Sequence, residues 1–123
     1  MNIEELRIYC LSIKGAEECF PFDEDTLVFK VMNKMFAYTS LTPTDEGFRV
    51  NLKCDPEKAI ELREKYSSVI PGYHSNKKYW NTIYLDGDMH DDEINFWINH
   101  SVEEVIKKLP KKQREAYNTS EEA

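Results

Sequence analysis

The stretch TLVFKVMNKMFAYTSL, residues 26–41, has two apolar runs on either side of a polar pair. This pattern predicts a β-hairpin with Asn33 and Lys34 at its two-residue turn. In that register, alternation sorts the side chains onto two faces of the hairpin. The apolar face contains Leu27, Phe29, Val31, Phe36 and Tyr38, and the opposite face contains Lys30, Ala37 and Thr39.

Two further segments are predicted to extend the hairpin into a sheet. Residues 48–53 alternate strictly between apolar and polar side chains, and residues 79–85 form a second extended segment that ends at an Asp-Gly turn. The side of the sheet without helices should then be open to solvent. We expect this exposed face to carry Lys30, Thr39, Arg49, Asn51, Trp80, Thr82 and Tyr84.

Helices are predicted at both ends and in the middle of the chain. The first covers residues 3–13, and another starts with Asp55 as N-cap and a proline at the first helical position. The apolar rhythm after residue 90 contains Ser101 and Glu104 in capping-box spacing, which predicts two consecutive helices meeting near Ser101. The element order predicts an α+β fold in which helices pack on one face of an antiparallel sheet.

A chain of 123 residues is expected to form one domain. We place this domain at residues 1–110 and expect residues 111–123 to be a mobile C-terminal extension beyond Pro110.

Composition favours a cytoplasmic protein. Cys10, Cys19 and Cys54 form no C-x-x-C pair, which is typical of reduced thiols in the cytosol. The first ten residues lack the apolar segment of a signal peptide. No apolar run approaches the roughly 20 residues that cross a bilayer, so we expect no membrane contact.

No motif of a common catalytic class is present, neither G-x-S-x-G, a phosphate loop nor G-x-G-x-x-G. Asp86, Asp88, Asp91 and Asp92 form an acidic cluster without the spacing of a calcium loop, and a turn followed by a helix N-terminus explains it better. We therefore predict a non-enzymatic protein with no cofactor and no tight metal site.

Charge is distributed unevenly around a candidate binding site. The formal net charge is −7, yet residues 69–85 contain two lysines and no acid. An acidic protein repels phosphate at long range, so any contact with nucleic acid must be local. Lysines interleaved with aromatic rings are typical of single-strand binding surfaces. The candidate nucleic-acid-binding residues are Lys30, Arg49, Lys53, Tyr73, His74, Asn76, Lys77, Lys78, Trp80 and Asn81.

Two alternatives remain open for this segment. Trp80 belongs either to the core or to the binding surface. Tyr73, His74 and Asn81 either contact a ligand or form a hydrogen-bonded latch that shapes the loop.

The segment PGYHSNKKYWNT, residues 71–82, resembles the central motif of the MmcQ/YjbR family, P-G-Y-H-x-N-K-x-H-W-N-T, with Tyr79 where the family often has His. The similarity extends over nearly the whole chain, including the Asp-Pro helix start and the ending HSVEEVIKKLPKK. The resemblance implies a frataxin-like (CyaY-like) α+β sandwich with a double-wing arrangement, and it implies DNA binding. It assigns no catalytic residue.

Three functions are compatible with these observations. The first is a nucleic-acid-binding module that contacts DNA or single strands through residues 71–84 and the adjacent sheet face. The second is a protein-interaction or regulatory module that uses the aromatic surface or the acidic helices. The third, by analogy with frataxin-like domains, is a module that binds metal or small anions.

Overall fold

The computed structural model describes residues 1–72 and 75–120, and it confirms the predicted α+β class. Two predicted site residues, Tyr73 and His74, lie outside this described part. No helix in the described part is long and apolar enough to cross a membrane. The elements are α1 (Ile3–Ser12), β1 (Glu17–Cys19), β2 (Thr26–Val31), β3 (Lys34–Ser40), β4 (Arg49–Lys53), α2 (Pro56–Lys65), β5 (Val69–Pro71), β6 (Trp80–Tyr84), α3 (Asp91–Lys107) and α4 (Lys111–Thr119).

The six strands form one antiparallel sheet in the order β1-β2-β3-β4-β6-β5. The short strands β1 and β5 form the two edges of the sheet. Helices cover one face, here called the helix face, and bury the core between them and the sheet. This core includes Leu6 and Cys10 from α1, Leu62 from α2, and Ile94 and Ile98 from α3.

The predicted turn of the hairpin was wrong by one residue. Met32 and Asn33 form the turn, with φ angles of 49° and 63°, and Val31 pairs with Lys34. Positive φ at both central residues is the geometry that matches the twist of paired strands. Phe36 then lies in a β-bulge, because Lys30 pairs with Met35 while Phe29 pairs with Ala37.

The bulge reverses the predicted faces of the second half of β3, because every side chain beyond it moves to the other side. Ala37 and Thr39 pair with the core residues Phe29 and Leu27, and they are fully buried on the helix face. Tyr38 lies on the opposite face. The prediction that Thr39 faces solvent was therefore wrong, as was the prediction that Tyr38 faces the core.

A single helix, α3, replaces the two that were predicted to meet near Ser101. The Ser101 hydroxyl does not cap a helix. It donates to the Phe36 carbonyl at 2.5 Å and accepts from the Lys53 N–H at 2.9 Å, joining β3 to β4 beside the bulge. The capping-box spacing is therefore present in the sequence, but the Ser101 side chain bonds to the backbone of two strands and caps no helix.

Residues 111–119 form α4, in the segment that we expected to be an extension. The Tyr117 hydroxyl donates to the Lys14 carbonyl at 2.8 Å, and Lys14 Nζ donates to the Tyr117 carbonyl at 2.7 Å. Tyr117 also packs against the core. These contacts connect α4 to the end of α1.

Candidate nucleic-acid interface

The loop between β5 and β6 is built on hydrogen bonds within itself. Gly72 N–H donates to the Trp80 carbonyl at 2.8 Å, and Lys77 Nζ donates to the Gly72 carbonyl at 3.1 Å. Asn76 Oδ1 accepts from the Lys78 N–H at 2.9 Å. Two of the predicted ligand-binding side chains, those of Asn76 and Lys77, therefore shape the loop.

Arg63 fastens this loop to α2. Its Nε donates to Asn81 Oδ1 at 2.7 Å, and its Nη2 donates to the carbonyl of Lys77 and to that of Trp80. Asn81 Nδ2 donates in turn to the Ala59 carbonyl at 3.3 Å. Asn81 is 1% exposed, so its amide lies inside the protein and both of its polar atoms have partners. We therefore leave Asn81 out of the interface.

Trp80 packs on the sheet face opposite the helices. Its ring centroid lies 5.6 Å from that of Tyr38, although β4 separates the two strands. Because neighbouring strands are about 4.8 Å apart, the two rings lean toward each other over β4. Trp80 is 9% exposed and hence largely buried.

The face opposite the helices is therefore less open than the sequence predicted. Asn51 is 4% exposed and Thr82 is fully buried. The Thr82 hydroxyl donates to Asn51 Oδ1 at 2.5 Å, and Asn51 Nδ2 donates to the Tyr38 carbonyl. These short polar side chains satisfy one another within this face, as buried polar groups must.

Four lysines from four different segments approach the end of the sheet beside the C-terminus of α3, and we call them the lysine cluster: Lys34, Lys53, Lys78 and Lys108. Two of them lie over the ring of Tyr79. Lys108 Nζ is 4.3 Å from the centroid of its ring and Lys78 Nζ is 5.5 Å from it, both within cation–π range. The Tyr79 carbonyl accepts from the Cys54 N–H at 2.7 Å, which places the ring beside the end of β4.

The pKa of Lys53 reflects this crowding. Burial lowers it, and repulsion from Lys108 and Lys34 lowers it further, against an opposing effect of Glu104. Glu104 is itself buried and forms an ion pair with Lys107 at 2.9 Å. The cluster is thus a local positive surface on an acidic protein, and an anion bound there would relieve the repulsion.

The other predicted basic residues occupy different places. Lys30 lies on β2 at the same end of the sheet, opposite Glu17 of β1. Arg49 lies at the far end of β4 from Lys53, where it pairs with Tyr84. Burial raises the pKa of Tyr38, and a hydrogen bond with Ser75 and the charge of Arg49 oppose this effect. We keep Lys53 and Lys78 in the interface and place Arg49 outside it.

Sequence reasoning missed three residues. Arg63 lies on a predicted helix, and nothing in the sequence around it indicates a contact with Asn81. Lys34 and Lys108 are 74 positions apart and come together only because β2 and β3 turn beside the end of α3. The only indication in the sequence that Lys34 and Lys108 belong to a positive surface was the mild positive charge of residues 26–54 and 106–123.

The acidic cluster has structural partners. Asp88 accepts from the backbone N–H groups of Ser67 and Ser68 at 2.9 and 3.0 Å, and hydrogen bonds from these serines hold the Asp88 pKa at about 2. Asp91 accepts from the Met1 amine. Within residues 1–72 and 75–120, no three His, Cys, Asp or Glu side chains are arranged as metal ligands.

The two buried cysteines are poor nucleophiles. Burial raises the pKa of both Cys10 and Cys54 to about 12, so the thiols stay protonated at neutral pH.

The sequence and the fold both match known proteins. The family model named YjbR matches residues 11–103. The chain belongs to the YjbR family. It is 35% identical to the uncharacterized protein YjbR of Escherichia coli K12 over 114 residues, which cover 93% of this chain and 95% of the relative. It is 32% identical to the uncharacterized protein YbdF of Escherichia coli O157:H7 over 112 residues, covering 90% and 89% of the two chains.

Solved structures share the same fold. The Deinococcus radiodurans protein DR2400, a DUF419 domain, superposes with a TM-score of 0.85 at 37% identity, covering 99% of this YjbR-family chain and 91% of that structure. A protein from Pseudomonas syringae gives a TM-score of 0.72 at 27% identity, covering 82% and 96%. None of these names states an activity. The family assignment therefore establishes the fold of a small domain and does not identify a ligand.

Proposed function

We propose that this YjbR-family protein is a small non-enzymatic module that binds nucleic acid, and that the lysine cluster is its phosphate-binding surface. The observation that carries the proposal is a group of four lysines on a chain of net charge −7. Lys78 and Lys108 lie over the ring of Tyr79, and Lys108 and Lys34 both repel Lys53. Lysines on an acidic protein are more often spread among acids, where they form surface ion pairs. Here burial and repulsion from Lys108 and Lys34 outweigh the attraction of Glu104, so an anion bound at the cluster would stabilise the charged form of Lys53.

The ligand contacts differ from those that the motif first suggested. Lys78 and Lys108 are exposed and supply point charges for phosphate, and Tyr79 between them offers part of a ring face. Lys77 instead holds the loop in shape. The acidic charge elsewhere on the protein keeps the affinity modest. Because the lysines contact phosphate, binding should weaken as salt is added.

The test is a salt series of binding to a single-stranded oligonucleotide and to duplex DNA, by fluorescence anisotropy. Lys78→Ala/Lys108→Ala should weaken binding to all sequences alike. On single strands it should flatten the slope of log K against log salt by roughly 1.4, about 0.7 for each lost phosphate contact. The matched control is Lys111→Ala/Lys112→Ala, which removes the same charge from exposed positions on α4 outside the cluster.

Equal effects of the two double variants would show that only net charge matters and would refute the assigned surface. Wild-type protein that fails to bind at low salt would refute nucleic-acid binding itself.

One observation favours a second function, that of a protein-interaction module. Phe96 is 59% exposed on α3, and its ring stacks edge-on against Trp97 at 5.0 Å beside a cavity of about 540 Å³ between α2 and α3. Trp97 is only partly buried, and its indole N–H has no partner in the described part of the chain. Phe96→Ala should abolish such an interaction and leave oligonucleotide binding unchanged.

A further inference from the structure

We infer that the interface binds single strands, and that one unpaired base enters a pocket on the sheet face beside the lysine cluster. This inference rests on the proposed function and specifies its ligand. The pocket, here called the aromatic pocket, has a volume of about 340 Å³, within the range of small-molecule sites. It is lined by Phe22, Asp23, Thr26, Met35, Tyr38 and Ser75.

The walls of the aromatic pocket suit a flat ring. Phe22 is 70% exposed at the pocket and Tyr38 is half-buried against Trp80, so two aromatic side chains border one space. Met35 adds an adaptable apolar surface to the same space. Aromatic side chains that are exposed beside a cavity are typical of platforms on which bases stack.

The charges of the pocket exclude phosphate and favour a neutral base. Asp23 lines the pocket, and its Oδ1 accepts from the N–H groups of Asp25 and Thr26 at 2.8 and 2.7 Å. These hydrogen bonds lower the pKa of Asp23, so the carboxylate is charged at neutral pH. A phosphate would be repelled from it, whereas the donor groups on the edge of a base would be attracted to it.

The aromatic pocket and the lysine cluster are adjacent. Met35 of the pocket is next to Lys34 of the cluster along β3, and the two side chains point to opposite faces of the sheet. Tyr38 of the pocket contacts Trp80, which pairs with Lys53 and follows Tyr79. A strand whose backbone contacts Lys53 therefore passes the mouth of the pocket. Paired bases in a duplex expose only their edges, so a duplex cannot fill it.

The experiment compares two oligonucleotides of equal length and charge, an oligo-dT and an all-abasic strand, in the same salt. Wild-type protein should bind oligo-dT at least about fivefold more tightly, which is the low end of the effect of stacking one base. Phe22→Ala should reduce that ratio toward one and leave abasic binding unchanged. Because Phe22 is mostly exposed, the variant should fold normally.

Phe20→Ala is the matched control, since Phe20 is exposed in the same loop and does not line the pocket. It should keep the wild-type ratio. Equal binding of the two strands by wild-type protein, or an unchanged ratio in Phe22→Ala, would refute the pocket and leave the phosphate surface intact. Failure of both strands to bind would refute the proposed function as well.

Discussion

Replacing Arg63 with alanine should destabilise the protein more than any surface substitution on α2. In the wild type, its guanidinium satisfies Asn81 Oδ1, which lies inside the protein with no other donor among its hydrogen bonds in the described part of the chain. The loss of a hydrogen bond to a charged group costs about 1.5–3 kcal/mol when the acceptor stays buried. The Trp80 carbonyl also loses Arg63 but still accepts from the Gly72 N–H, so it adds little to this cost.

Urea unfolding measures this loss. Glu64→Ala is the control, because Glu64 is the exposed neighbour of Arg63 on α2 and its removal should change stability by less than about 0.5 kcal/mol. Arg63→Lys should give an intermediate loss, since one ammonium cannot reproduce the planar fork that contacts Asn81 and the Lys77 carbonyl together.

A double-mutant cycle separates the contact from other effects. If Arg63 and Asn81 interact as described, Arg63→Ala/Asn81→Ala should cost less than the two single losses added together. Trypsin should also cut after Lys77 and Lys78 faster in Arg63→Ala, because the loop loses its attachment to α2. A loss no larger than that of Glu64→Ala, together with additive single losses, would contradict a stabilising contact between Arg63 and Asn81.

Three more outcomes can be measured on the folded protein. His100 Nε2 accepts from the Asp55 N–H at 3.1 Å, and burial lowers the His100 pKa, so the unfolded chain takes up a proton first. The free energy of unfolding should therefore fall as the pH drops below about 6.5, and His100→Gln should remove that part of the fall. Ser101→Ala should cost about 1–3 kcal/mol in urea unfolding, because it leaves a carbonyl of β3 and an N–H of β4 without their partner. Gly72→Ala should displace the loop and change tryptophan fluorescence, since a Cβ there would lie 2.7 Å from Trp80 Cβ; an unchanged spectrum would contradict the close packing.

The fold was predictable because its signals are local. Alternation in β4, the Asp55-Pro56 helix start and the apolar stripe of α3 each identify an element from neighbouring residues. The bulge at Phe36 was not predictable in this way. The Phe36 carbonyl is bonded to Ser101, 65 positions later, so the irregularity of β3 depends on a contact that no window of sequence contains.

The candidate site was predictable in part for the same reason. Lys78 and Tyr79 are adjacent in sequence, so the sequence alone places a positive charge beside an aromatic ring. Lys53 and Lys108 join them only through the packing of β4 and α3. The local pattern also predicted too many ligand contacts in the loop. Lys77 and Asn81 were among them, but both side chains bond to groups within the protein.

The motif and the proposed ligand surface therefore depend on different residues. Gly72, Asn76, Lys77 and Asn81 belong to the motif, and their hydrogen bonds or close packing build the loop together with Arg63. The lysine cluster lies mostly outside the motif. A YjbR-family protein that keeps the loop residues and lacks the lysines should fold in the same way and fail to bind phosphate. Grafting lysines at the positions of Lys34, Lys53, Lys78 and Lys108 onto such a relative should confer salt-dependent binding, and an unchanged affinity after grafting would show that the cluster alone does not form the surface.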